Sequence, residues 1–160
     1  MRHDSPIGWR EHLKHLLLRR AQSVAISQAV ALSLPVASII IPNCYDQTTF
    51  FENATAPSAP REDLIFVGRL VSDKGADLAL AALSRLQATG MKPRLTIVGD
   101  GPERSRLEAQ SVALGLAAQI RFTGSLQGAA LAAELRNHRI QLVPSRWREP
   151  FGIGALEGAA

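Results

Sequence analysis

From Leu64 onward the sequence alternates short apolar runs with longer stretches of helical periodicity, and this rhythm narrows the possible folds more than any other feature. Leu64-Ile-Phe-Val67, Leu95-Thr-Ile-Val98, Ile120-Arg-Phe122 and residues 140–143 read as strands. Residues 76–90, 102–115 and 127–138 read as helices, the first with Leu78, Ala81, Ala82 and Leu86 turned inward, and a last helix opens at Gly152. Strands separated by single helices require crossover connections. The expected class is therefore α/β, a parallel Rossmann-like sheet flanked by helices. Such sheets take ligands outside the carboxyl ends of their strands, which directs attention to the residues that follow each apolar run.

Gly68, Arg69 and Lys74 follow the first run, in a loop that feeds a helix at Gly75. Two cations beside the backbone N–H groups of a helix start suit a diphosphate, with Arg able to grip two oxygens and Lys acting as a point charge. Two solvated basic residues in a loop would read the same way. The order Gly68 to Gly75 is not a Walker A loop, which needs Gly-Lys-Ser/Thr after four spaced residues. Gly99-Asp100-Gly101 follows the second run but lacks the third glycine of a dinucleotide fingerprint, and Arg121 and Thr123 stand where an acidic ribose ligand is needed. These glycines are expected to admit close backbone approach to a ligand, with a bare tight turn as the alternative. Gly124 follows the third run. Glu149 and Glu157 flank the last loop-to-helix junction, with Pro150 and Phe151 between them. Carboxylates there can accept hydrogen bonds from a polyhydroxylated ligand, although a helix cap and a surface charge would look alike.

Four stretches occur together in a fixed order: Phe66-Val-Gly-Arg-Leu-Val-Ser-Asp-Lys-Gly75, Leu95-Thr-Ile-Val-Gly-Asp-Gly-Pro102, Ile120-Arg-Phe-Thr-Gly124, and Glu149-Pro-Phe-Gly152 with Glu157. The set resembles the C-terminal, donor-binding domain of the retaining family 4 (group 1) glycosyltransferases, whose GT-B architecture has two facing Rossmann-like domains. The resemblance covers residues 23–160 and is strongest from residue 64, while Cys44-Tyr45-Asp46 stands where Gly-Val-Asp is usual. It implies a nucleotide-diphosphate sugar as co-substrate, an unknown acceptor and transfer with retention. It implies that Arg69 and Lys74 grip the diphosphate and stabilise the leaving nucleotide, and that Glu149 lies by the donor sugar as a third catalytic group. The amides of Phe151 and Gly152 would then meet the sugar hydroxyls, and Glu157 the ribose. Gly124, Ser125 and Leu126 would lie by the base, with Gly68, Gly99, Asp100 and Gly101 lining the site. No cofactor and no metal are implied, since the cations and helix dipoles neutralise the diphosphate. A reading from another class is a non-catalytic nucleotide- or phosphosugar-binding module; the joint presence of Arg69, Lys74, Glu149 and Glu157 argues for the enzyme.

Across 160 residues, 46% hydrophobic and 20% charged content allows one ordinary core. The single cysteine, Cys44, precludes an internal disulfide, fits a reducing compartment and reads as a small half-buried residue. Most of the net charge of +4 lies in the first twenty residues, where Arg2, Arg10, Lys14, Arg19 and Arg20 outnumber Asp4 and Glu11. That distribution, with few aromatic residues, argues against a nucleic-acid partner. Ser5-Pro6 suits a helix start, after which Trp9, Leu13, Leu16, Leu17, Ala21 and Val24 share one face. This basic amphipathic helix packs on a neighbour, or makes a peripheral membrane contact through its basic face. His3, His12, His15 and His138 read as surface residues. No apolar run reaches the roughly 18 residues of a membrane span, and no signal peptide is evident, so the expected location is cytoplasmic, with membrane association through the first helix as the variant. The expected division is 1–27 as a remnant of an acceptor domain, 28–63 as linker plus the first strand of the next domain at Ile39-Ile-Ile41, with an exposed connection from Thr48, and 64–160 as a donor domain incomplete at its C-terminus. The chain thus reads as a fragment, inactive by itself.

Arg69→Ala and Lys74→Ala are each expected to weaken nucleoside-diphosphate binding by roughly 1–3 kcal/mol, the scale of a lost charged hydrogen bond. Arg85→Ala, on a helix away from the strand ends, should change little. Equal losses for all three in calorimetric titrations would show that the site is misplaced.

Overall fold

The computed structural model describes residues 13, 16–17, 20–44, 46–50, 62–146 and 152–159. It comprises two compact units, Met1–Cys44 and Tyr45–Ala160. In the first, strand β1 (Ser23–Ala25) runs parallel to β2 (Ser38–Ile40), with Ser23 opposite Ser38 and a 2.9 Å hydrogen bond between their hydroxyls. The connection contains a short helix α1 (Gln28–Ala31), capped by Ser27, whose hydroxyl accepts from the Val30 amide. Ile39 and Ile40 lie in β2, which completes a local β-α-β crossover with β1 in the first unit. Val24 lies in β1 rather than on the first helix. Leu13, Leu16 and Leu17 are helical and exposed; the remainder of that helix, with its basic residues up to Arg19, lies outside the described residues. Cys44 is exposed rather than half-buried, since the chain has left β2 and no described element covers it.

The second unit follows the predicted rhythm: β3 (Glu62–Val67), α2 (Ala76–Ala88), β4 (Leu95–Val98), α3 (Arg104–Ala113), β5 (Ile120–Gly124), α4 (Gly128–Arg136), β6 (His138–Leu142) and α5 (Ile153–Ala159). The four strands form one parallel sheet in the order β5-β4-β3-β6. Alternation along β3 and β4 sends Leu64, Phe66, Leu95 and Ile97 to one face, where they pack with Ala76, Ala79, Leu80 and Leu83 of α2 and Leu107 of α3. Ile65 and Val98 face the other way, onto Leu131 and Ala132 of α4 and onto Phe50. Both central strands are thus buried on two faces, as parallel sheets require.

Two expectations fail here in instructive ways. The buried stripe of α2 is Ala76, Ala79, Leu80 and Leu83, and Leu78 is 42% exposed. Every turn of this helix carries Ala or Leu on several faces, so periodicity alone did not phase it. The segment after Thr48 is not wholly an exposed connection, because Phe50 is only 8% exposed and fills the α4 face of the core. Asp46 prepares that insertion: its carboxylate accepts from the Thr48 amide and both threonine hydroxyls, and the Thr48 hydroxyl first among these lowers its pKa to about 2.

His138 is not a surface residue. It begins β6, is 5% exposed, and belongs to a polar cluster at the amino edge of the sheet. Its Nδ1 lies 2.7 Å from the Glu134 carbonyl, which can only accept, so that nitrogen carries a proton. Nε2 lies 2.9 Å from the Thr96 hydroxyl, which also meets Glu62 and Arg121. Arg121 bridges to Glu134 and Glu62. Burial opposes ionisation of Glu62, yet the Thr96 hydroxyl and the Arg121 charge hold its carboxyl below its ordinary value. Four strands and α4 are joined here through side chains whose polar atoms satisfy one another, which is the condition for burying them. Thr96→Val keeps the shape and removes the shared hydroxyl. It should cost about 1–3 kcal/mol in urea unfolding; a variant as stable as the parent would show that the cluster contributes nothing.

Candidate functional site

After β3 the chain moves outward to β4 and β5, then returns to lay β6 on the other side of β3. The loops leaving β3 and β6 start from two paired strands, Phe66 opposite Leu142, at the point where the strand order reverses, and the crevice outside such a point is where parallel sheets of this kind receive ligands. The rim beside that crevice is held by backbone hydrogen bonds. Leu70 donates to the Asp100 carbonyl at 2.9 Å, Glu103 at the start of α3 donates to Leu70, and Gly99 donates to Gly124 at 2.8 Å. One extra residue in β5, between the partners of Ile97 and Val98, makes a bulge at Thr123 and re-aims Gly124 toward Gly99.

This rim explains the glycines differently from the sequence. A Cβ on Gly99 (φ 139°) would stand 1.9 Å from the Gly68 carbonyl oxygen, and one on Gly101 would stand 2.5 Å from that of Leu70. The absent side chains make room for the neighbouring loop. Asp100 is likewise committed: its carboxylate accepts from the Gly101 amide at 2.7 Å and from Arg104 at 3.0 Å, and these bonds, the amide first, lower its pKa. Leu126 is half-buried against the Ile65, Val98 and Leu131 cluster, whereas Ser125 is exposed.

Across the crevice the loops after β3 and β6 are fastened to each other. Gly75, left-handed at φ 72°, lies so close to the second loop that a Cβ would meet the Pro144 carbonyl at 2.2 Å. Arg146 completes the fastening. Its backbone amide donates to the Asp73 carbonyl at 2.9 Å, and Nη1 donates to the Ser72 carbonyl at 2.8 Å. Nη1 and Nη2 each reach one oxygen of Asp77, both at 2.7 Å. The Arg146 hydrogen bond is the first cause of a lowered Asp77 pKa, and Asp77 in turn raises that of Arg146. Sequence reasoning missed this pair, because nothing local links residues 69 apart; the only signals were an arginine after a strand and an aspartate in a first helical turn.

Arg69 is exposed and has no ion-pair or hydrogen-bond partner for its guanidinium among the described residues, in contrast to Arg104, Arg106, Arg121 and Arg146. Lys74 is half-buried at the end of the 3₁₀ turn Ser72–Lys74. Gly152 precedes α5, and Glu157 lies on that helix, where burial raises its pKa. Glu149 and Phe151 lie outside the described residues. Among the described residues no group of three or more His, Cys, Asp or Glu side chains is placed to hold a metal ion, and no helix is long and apolar enough to cross a membrane.

A family model described as "Glycosyl transferases group 1" matches residues 47–160. The chain belongs to this family. For a group 1 glycosyl transferase its similarities are broad. It is 36% identical over 121 residues to a Mycobacterium tuberculosis protein named glycogen synthase, covering 76% of this chain and 29% of that protein. It is 39% identical over 98 residues to the GDP-mannose-dependent alpha-(1-6)-phosphatidylinositol dimannoside mannosyltransferase of the same species, covering 61% and 24%. Among solved structures, Anabaena HepE in complex with UDP and glucose superposes with a TM-score of 0.75 at 21% identity, covering 92% of this chain and 44% of that one. S. aureus TarM gives 0.74 at 15% identity, covering 98% and 32%. At such identities these structures speak for the shared GT-B-type fold. The chain spans about 29% of the length of the glycogen synthase relative.

The Glu157 carboxyl yields a test of its own. Its folded-state pKa is raised, so the ionised form costs stability at neutral pH, and that cost is relieved as pH falls through the folded value. Glu157→Gln should therefore stabilise the unliganded chain at pH 7 by less than about 1 kcal/mol, and the gain should vanish near pH 4. Urea midpoints at the two pH values measure it; a variant less stable at pH 7 would mean that the carboxylate has a partner in the free protein.

Proposed function

We propose that this chain is the donor-binding part of a nucleotide-sugar-dependent, retaining glycosyltransferase. The observation that carries this reading is the contrast between the two edges of the sheet. At the amino edge Glu62, Arg121, Glu134 and His138 satisfy one another. At the carboxyl edge, among the described residues, the Arg69 guanidinium has no ion-pair or hydrogen-bond partner, and no cation offsets the burial of the Glu157 carboxyl. An unpaired guanidinium and a half-buried carboxyl beside a switch-point crevice fit an anionic, hydroxyl-bearing ligand: a diphosphate at Arg69, with Lys74 nearby in the same loop, and a ribose at Glu157. The UDP and glucose in the HepE complex support a ligand of this class. The GDP-mannose dependence in the name of another relative shows that family membership does not specify the base.

In this reading Arg69 and Lys74 take up the charge that develops on the leaving diphosphate, which lowers the barrier electrostatically and needs no metal. Glu149, with the amides of Phe151 and Gly152, serves the donor sugar, and Gly124, Ser125 and Leu126 border the base. Gly68, Gly99, Asp100 and Gly101 line the site as the close-packed backbone rim. The 160-residue polypeptide taken alone binds nucleotide and transfers no sugar. Transfer requires an acceptor held against the donor with water excluded, and positioning of that kind can be worth about 7–11 kcal/mol. Calorimetric titration with uridine, guanosine and adenosine diphosphates, beside an assay of donor turnover, tests both statements. Binding of at least one nucleotide without turnover is expected. Absence of binding at any concentration would sink the donor-site reading, and sugar transfer by the polypeptide alone would sink the second.

A further inference from the structure

Lys74 ends a single 3₁₀ turn, an element with poorer hydrogen-bond geometry than an α-helix, closed here by bonds from Lys74 to Val71 at 3.1 Å and from Gly75 to Ser72 at 3.3 Å, and it is followed by a left-handed glycine. So short an element leaves room for a second hold on its backbone. Arg146, arriving from the far side of the crevice, bonds to the carbonyls of Ser72 and Asp73 just before Lys74 and to the carboxylate of Asp77 just after it. Asp77 stands in the first turn of α2, whose positive end favours its charge. The planar fork meets both oxygens of Asp77 and the Ser72 carbonyl from two nitrogens, a geometry that the single nitrogen of an ammonium group does not reproduce. The Arg146 side chain is 43% exposed, so the bracket is built at the surface of the rim and not as part of the core.

We propose that Arg146 is a positioning residue for the diphosphate site, holding Lys74 and the first turn of α2 where a nucleoside diphosphate is gripped. The inference rests on the donor-site reading above. It predicts a selective effect, because a misplaced Lys74 costs the second phosphate and not the nucleoside. The preference of the full chain for the best-binding diphosphate over its own monophosphate should fall about tenfold in Arg146→Ala, the equilibrium worth of one charge-assisted hydrogen bond. Asp77→Ala should show the same fall, because Arg146 acts through that carboxylate. Arg146→Lys should not restore the preference, and adding Lys74→Ala to Arg146→Ala should cost less than Lys74→Ala alone.

Calorimetric titration of these variants with both nucleotides, beside thermal unfolding, separates the outcomes. Equal weakening for monophosphate and diphosphate would mark a merely structural contact and overturn the proposal. Loss in Arg146→Ala with none in Asp77→Ala would mean that the guanidinium touches the ligand itself, which also overturns it. An unaltered chain that binds neither nucleotide would overturn the donor-site reading, and the bracket's role with it. An unaltered chain that binds, with a preference unchanged in the variants, would remove the role of Arg146 alone.

Discussion

Strands β3 and β4 are covered by helices on both faces, so their backbone groups can be satisfied only by their neighbours in the sheet. The in-register pairing of Leu64–Val67 with Leu95–Val98 meets that demand. It also places the ends of both strands at one level. The close backbone rim of Gly68, Leu70, Gly99 and Asp100 depends on that alignment. A slip of one residue would turn Leu64, Phe66, Leu95 and Ile97 away from α2 and carry the glycines out of contact.

The two edges of the sheet then take different chemical roles. At the amino edge charged groups are paired, hydrogen-bonded or buried together, and they tie α4 to the strands beneath it. At the carboxyl edge the backbone is held by the hydrogen bonds of the rim, and the Arg69 guanidinium has no ion-pair or hydrogen-bond partner among the described residues. Glu157, on α5, carries a half-buried carboxyl whose ionised form opposes folding, since it is harder to ionise in the folded chain than in water.

Arg146 and Gly75 join the halves of the crevice by two different means. Gly75 permits backbone contact by lacking a side chain, and Arg146 holds the contact with charge-assisted hydrogen bonds. Steric permission alone leaves a loop free to move, and an ion pair alone would be weak at this exposure. Together they reinforce a turn whose own hydrogen bonds are few.

The strand–helix alternation was legible in the sequence because apolar runs of four, turn glycines and helical spacing are local signals. The residues at strand ends were legible for the same reason, and so Arg69, Lys74 and Gly99 could be named from the chain alone. What periodicity could not phase was α2, where alanine and leucine occupy every face and only packing against Phe66 and Ile97 selects Ala79, Leu80 and Leu83. The burial of His138, the insertion of Phe50 and the tight backbone contacts at Gly99 and Gly101 depend on partners far along the chain, such as Thr96 at a separation of 42 from His138. The pairing of Ile39 with Val24 and the bracket of Arg146 on Asp77 are decisions of the same kind. Local sequence determines which elements form and where their ends fall, because propensity and periodicity act over a few residues. Which polar groups meet, and which glycines have no room for a side chain, is decided only when the tertiary structure brings distant backbone within hydrogen-bonding distance.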